Sequence, residues 1–179
     1  MPTALLIIDV QSILCTGASK ARDVDAVIGR INTVSRKARA AGALVVVVQH
    51  ETAGGDMDNG TDNWKLASSL ELHSTDVLLR KTASDAFLRT GLSELLASRG
   101  VTDLIVCGLQ SEFCVDSTVR RAMALGYPVV LVADGHTTVD NGVLSAGQIA
   151  AHHNWTLSNI ESYGPRTTAV PAAEIQIAA

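Results

Sequence analysis

A thiol, a carboxylate and an ammonium group together supply what acyl transfer to a cysteine requires: nucleophile, proton acceptor and orienting charge. This 179-residue chain holds one of each where they can meet. Cys114 follows the apolar run Leu104 to Cys107 and a turn at Gly108, in the first turn of a helix expected to open near Glu112 to Cys114 and close at Gly126. Asp9 follows the apolar run Ala4 to Ile8, and Lys81 follows Val77 to Arg80. A carboxylate beside a thiol takes its proton, and an ammonium beside both holds the carboxylate ionised and favours the thiolate. A helix amino end offers free N–H groups and a positive dipole end, so the Cys114 pKa is expected to be lowered. Backbone N–H groups between Gly108 and Cys114, notably those of Gln110 and Cys114, can face a developing oxyanion.

Residues so far apart in sequence need elements that bring them to one place. The runs Ala4 to Ile8, Leu44 to Val48 (ending at Gln49 and His50), Val77 to Arg80, Leu104 to Cys107, Val129 to Ala133 and Thr167 to Val170 read as strands, several without the alternation of a half-exposed sheet. Between them Val27, Ile28, Ile31, Val34 and Ala38 recur at helical spacing, with Asp23 or Asp25 as cap and Gly42 as stop. Trp64 to Leu72 is expected to hold a short helix, Ser84 to Phe87 to begin a helical region, and Leu88 to Ser98 to be a helix stopped by Gly100. Asn141 is expected to cap a helix running to about His153. Trp155 to Ile160 reads equally as helix end or short strand, and Pro171 to Ile175 as a terminal turn or short helix. The alternation predicts an α/β fold, a three-layer α/β/α sandwich on a mainly parallel, Rossmann-like sheet, as a single domain over residues 1–179. Parallel strands end on one sheet edge, which is where Asp9, Lys81 and Cys114 then converge. The Gly-, Asp- and Asn-rich loop Thr52 to Asn63 lies on the same edge.

Composition narrows the partners. Hydrophobic residues make up 47% and aromatic residues 3%, so the core must be aliphatic. A net charge of −4 argues against a nucleic-acid partner, which needs a basic face. No apolar stretch approaches the ~20 residues of a membrane helix, and MPTALLIIDV reads as a buried strand rather than a signal peptide. Three cysteines without a CxxC are what reduced thiols in a cytoplasm look like. No GxGxxG or GxxxxGK[ST] follows a strand, which argues against nucleotide binding.

Three segments in this order, LLIIDVQ at Leu5 to Gln11, RKTASDAF at Arg80 to Phe87 and VCGLQSEFCVDSTVRRAMALGYPVVLVADG at Val106 to Gly135, resemble the isochorismatase-like cysteine hydrolases over essentially the whole chain. The resemblance implies a Cys114–Asp9–Lys81 triad, a cis peptide between Leu109 and the oxyanion-hole residue Gln110, and hydrolysis of a C–N bond in a small amide, ureide or lactam through a thioester. The chain departs from the metal-dependent nicotinamidases of that superfamily, because after the second strand it has Gln49, His50 and Glu51 and no further histidine until His73. No metal and no cofactor are therefore expected. Leu14 stands where many members have an aromatic residue, which puts a ring-stacking wall in doubt.

Leu14, His50, Trp64, Phe87 and Leu109 are the candidate substrate-pocket residues, with simple packing or a solvated loop position as the competing reading for His50, Trp64 and Phe87. Gln11 is expected to hydrogen-bond loop backbone, and Cys15 and Cys107 to be core. Glu112 and Phe113 face either the pocket or a neighbouring subunit, and His152, His153 and Trp155 are read as packing or interface groups. The functional expectation is an amidohydrolase with a small amide-type substrate, forming a homodimer or larger assembly. The alternative is a redox-responsive or partner-binding module that uses Cys114 without amide hydrolysis.

Overall fold

The computed structural model describes residues 2–177; Met1, Ala178 and Ala179, at the ends of the expected 1–179 unit, lie outside them. Residues Ala4 to Ile8 are 0% exposed, as a strand covered on both faces must be. They form β1 (Thr3–Ile8), central in a six-stranded parallel sheet between β2 (Leu44–His50) and β4 (Asp103–Leu109). β3 (Val77–Lys81) lies outside β2, while β5 (Val129–Thr137) and then β6 (Thr167–Val170) lie outside β4. The order β3-β2-β1-β4-β5-β6 is that of a doubly wound sheet, whose direction of winding reverses between β1 and β4.

Successive side chains of β1 point to opposite faces and build two separate apolar layers. Leu5 and Ile7 join Val27, Ile28 and Ile31 of α2 (Val24–Ala40), which follows the four-residue α1 (Ser12–Cys15). Leu6 and Ile8 join Leu92 and Leu96 of α3 (Leu92–Ser98) and Val119 and Met123 of α4 (Asp116–Ala124). Helix α5 (Ala146–Ser158) adds Leu157 to this second layer. The fold is thus the expected three-layer α/β sandwich with a parallel Rossmann-like sheet.

Local boundaries differ where loop chemistry prevails over spacing. No helix forms over Trp64 to Leu72, because its backbone serves the segment after β1: Ser12 N–H donates to Lys65 O, Ala67 N–H donates to Val10 O, and Leu66 bridges Gln11. Ser84 to Phe87 are turns, and α3 starts at Leu92 rather than Leu88, since Arg89 has φ +57°, outside right-handed helix geometry. Asp23 is likewise left-handed at φ +49° and caps α2 without a side-chain bond. Asn141 closes a turn, its Oδ1 accepting from the Val143 and Leu144 N–H groups, while Ser145 caps α5 through a reciprocal pair with Gln148. That helix continues past His153 to Ser158. Gly108 does not turn the chain either; β4 runs through it with φ +120°, and a Cβ there would lie 2.6 Å from Ile8 N and closer still to Ile8 O. Only glycine lets β1 and β4 approach so closely just before Asp9 and Gln110.

Candidate active site

Asp9 leaves β1 in a left-handed conformation, φ +48°, which aspartate tolerates better than most residues. Its N–H donates to Val48 O, fastening the turn to β2. Lys81 is the last residue of β3 and pairs in register with His50 at the end of β2. Cys114 sits in a π-helical turn, Ser111–Val115, that joins β4 to α4. Three strand ends and one turn thereby bring three charged or nucleophilic groups together, as the topology rule requires.

Lys81 is the hub. Its Nζ lies 2.7 Å from Asp9 Oδ2, 3.1 Å from His50 Nδ1, 3.1 Å from Ala83 O and 3.2 Å from Cys114 Sγ. Its side chain is 0% exposed and that of Asp9 2%. An ammonium is only a donor, so His50 Nδ1 accepts from it and the ring proton is assigned to Nε2. Burial, and then the Lys81 charge, hold the His50 pKa below its usual value. The Asp9 carboxyl is buried, with the Lys81 ammonium and the Cys114 thiol as its hydrogen-bond partners. Burial pushes the Asp9 carboxyl above the usual carboxylate range, against the downward pull of Lys81.

The expected low pKa of Cys114 is corrected by this arrangement. Burial, and then the Asp9 charge, push the thiol up to about 12, although Lys81 pulls the other way. Its seat within the π-turn, packed partly in the second apolar layer, removes the water that would have solvated a thiolate. The resting site therefore keeps a protonated thiol hydrogen-bonded to the Asp9 carboxyl.

Asp9, His50 and Cys114 each place one metal-ligating atom within 4.8 Å of the others. Lys81 Nζ touches all three residues, so the ammonium occupies the centre of that donor set and supplies the positive charge that those donors attract.

Gln11 is 0% exposed and clamps the neighbouring loop, accepting from His50 N–H at 2.9 Å and donating to His50 O and Trp64 O at 2.9 and 2.8 Å. The Leu109–Gln110 peptide is cis, as the resemblance implied. Gln110 opens onto a cleft of about 590 Å³ shared with Ser19, Lys20, Arg22, Val139 and Asp140. The structure thus brings His50 to the triad, whereas Leu109 is fully buried and packs with Leu14 in the first apolar layer. Phe87 packs in the second layer and stacks on Tyr127 at 6.3 Å, and Trp64 is half-buried with its Nε1 unpartnered. All three cysteines are free, and Cys15 and Cys107 are buried. Sequence reasoning missed a buried chain from Ser111 to His136 to Asn154 beside the Cys114 turn. The signal available was a histidine within the Asp134 to Thr138 stretch that follows an apolar run.

Among the described residues no helix is long and apolar enough to cross a membrane. Residues 3–169 match the isochorismatase domain family. Two streptothricin hydrolases from Streptomyces noursei are 38% and 36% identical over 94% and 95% of this chain, which spans only 64% and 71% of their lengths. A ureidoacrylate amidohydrolase from Klebsiella pneumoniae is 26% identical over 98% of this chain and 90% of its own. The crystal structure of an isochorismatase from Pseudomonas putida has a TM-score of 0.88 and 30% identity, covering 97% of this chain and 89% of that one.

Proposed function

Because the chain belongs to the isochorismatase family of hydrolases, we propose that it is a cysteine-dependent amidohydrolase cleaving a C–N bond of a small amide, ureide or lactam. One observation carries this reading: Lys81 Nζ bridges Asp9 at 2.7 Å and Cys114 at 3.2 Å, and the Cys114 thiol is hydrogen-bonded to the Asp9 carboxyl. That sets a base directly against the thiol whose proton it would take.

In the proposed cycle Asp9 takes the Cys114 proton as Sγ attacks the substrate carbonyl. The backbone N–H groups of Gln110 and Cys114 hold the oxyanion. Asp9 returns the proton to the leaving nitrogen, the C–N bond breaks and a thioester remains. Asp9 then takes a proton from water, the hydroxide attacks the thioester, and the acid leaves as Cys114 recovers its proton. Lys81, in contact with both Asp9 and Cys114, compensates whichever partner is negative. His50 touches Lys81 at 3.1 Å, and the part-buried Leu14 and Trp64 are the proposed pocket surroundings, while Phe87 and Leu109 belong to the core.

The names of the relatives, a streptothricin hydrolase and a ureidoacrylate amidohydrolase, support the substrate class without choosing within it. A single domain over residues 1–179, assembly into a homodimer or larger, a cytoplasmic setting and action without metal or cofactor belong to the same proposal. The redox alternative requires a thiolate stored at rest, and a Cys114 pKa of about 12 speaks against it.

Intact mass spectrometry after incubation with a panel of amides, ureides and lactams, beside Cys114→Ser and with released amine assayed, tests the reading. An acyl adduct or turnover absent from the variant is expected. Turnover that survives in Cys114→Ser refutes the mechanism.

A further inference from the structure

Ser111, His136 and Asn154 form a chain that the acyl-transfer steps leave unused. Ser111 Oγ lies 2.8 Å from His136 Nδ1, and His136 Nε2 lies 3.0 Å from Asn154 Oδ1. The proton positions follow from the far end. Asn154 Nδ2 donates to Ala133 O at 2.8 Å, so its Oδ1 is the acceptor and His136 Nε2 carries the ring proton. His136 Nδ1 then accepts from the Ser111 hydroxyl. Burial holds the His136 pKa below its usual value, in keeping with a neutral ring.

Hydroxyl, imidazole and amide stand here in the order of a hydrolytic triad, yet Ser111 is 0% and His136 3% exposed, so no substrate reaches the hydroxyl. Their placement shows a different use. Ser111 is the first residue of the π-helical turn, directly after Gln110 and three residues before Cys114. His136 lies in β5, in register with Gly108 of β4, and Asn154 lies in α5. Near the start of the turn, the Phe113 and Val115 N–H groups share one acceptor, Gln110 O, at 3.1 and 3.2 Å. The hydroxyl of Ser111 ties that start to the sheet and to α5.

Resting on the reading of Cys114 as nucleophile, we propose that Ser111, His136 and Asn154 are positioning residues: their hydrogen-bonded chain anchors the π-helical turn to β5 and α5 and thereby sets where Cys114 Sγ stands against Asp9 and Lys81. The chain's polarity matters as well as its volume, because loss of either end leaves a buried imidazole nitrogen unpaired.

The test uses iodoacetamide as probe, with alkylation of Cys114 followed by peptide mass mapping across pH in the native protein, Ser111→Ala, Asn154→Leu and Ser111→Thr. Loss of one hydrogen bond from the chain is expected to slow Cys114 alkylation about tenfold and to move its pH profile in both Ser111→Ala and Asn154→Leu. Ser111→Thr, which keeps the hydroxyl, is expected to restore rate and profile. Native rates and profiles in Ser111→Ala and Asn154→Leu overturn the proposal, as does a Ser111→Thr variant that fails like Ser111→Ala. Should Ser111→Ala not fold, Asn154→Leu at the half-buried end decides. Should native Cys114 resist alkylation at every pH, turnover in Cys114→Ser decides the proposed function separately, and hydrogen exchange decides the inference. Peptides spanning Gln110 to Val115 must then exchange faster in Asn154→Leu, and unchanged exchange overturns the anchoring role.

Discussion

Two buried carboxylates, each paired with a cation, lie at opposite edges of the same sheet. At the amino edge Asp76 accepts from Arg39 Nε at 3.0 Å, Arg39 Nη2 at 2.7 Å and His73 N–H at 2.8 Å. Both of its oxygens are engaged by Arg39, which also donates to Ser35 Oγ and Glu71 O. At the carboxyl edge Asp9 has one ammonium, shared with a thiol, an imidazole and a carbonyl, and the thiol as its other partner. The amino edge also has the larger cleft, about 870 Å³ against about 590 Å³ beside Gln110. The larger cleft therefore lies at the edge away from Cys114. A carboxylate held by three fixed donors fastens a loop, whereas one set between a shared ammonium and a thiol is equipped to exchange a proton.

The contrast breaks first if Cys114 is dispensable. Cys114→Ala is expected to lower turnover of whichever amide the panel yields by about ten-thousandfold with an unchanged melting curve; retained turnover would dismantle the assignment of the two edges. Exchanging the insult between edges sharpens it. Asp9→Asn should cost turnover about a thousandfold and, by stranding the buried Lys81, about 3 kcal/mol of stability, whereas Asp76→Ala should cost a similar amount of stability by stranding Arg39 and leave kcat near native. Urea unfolding and steady-state kinetics on both variants would show whether the effects separate or fall together.

A finer test is the acid limb of kcat/KM. Burial raises Asp9, so the carboxyl is protonated, and unable to accept from Cys114, up to a higher pH than a free aspartate. The limb's midpoint should sit above about 4; a midpoint at or below that value would mean that Lys81 outweighs burial. The smallest effect concerns the thiol. Native Cys114 keeps its proton to about 12, while the unfolded thiol loses it near 8.5, so the native state binds more protons and stability falls as pH rises through that window. Between pH 8 and about 9.5 the native protein should lose about 1 kcal/mol more than Cys114→Ser, read from urea midpoints.

Much of this was legible in the chain. Unbroken apolar runs gave the strands, and the rule that parallel strands end on one edge placed Asp9, Lys81 and Cys114 together across more than a hundred residues. What escaped depends on partners that periodicity does not reveal. Arg89 turns left-handed and delays α3, and the backbone of Trp64 to Leu72 is committed to the segment after β1. The Cys114 pKa went the other way because a helix amino end is visible in sequence while the burial of one sulfur is not. The Ser111, His136 and Asn154 chain joins residues 25 and 18 positions apart, with no motif to announce it.

Lys81 has three protons and four acceptors within 3.2 Å. One N–H is always divided between neighbours, so the ammonium never has to choose a single counter-ion. In the proposed cycle, as negative charge passes from Asp9 to sulfur and back, Lys81 can follow it by redistributing hydrogen bonds rather than by swinging its side chain. The reorganisation that water would have to undergo at each proposed transfer is then completed in advance, during folding.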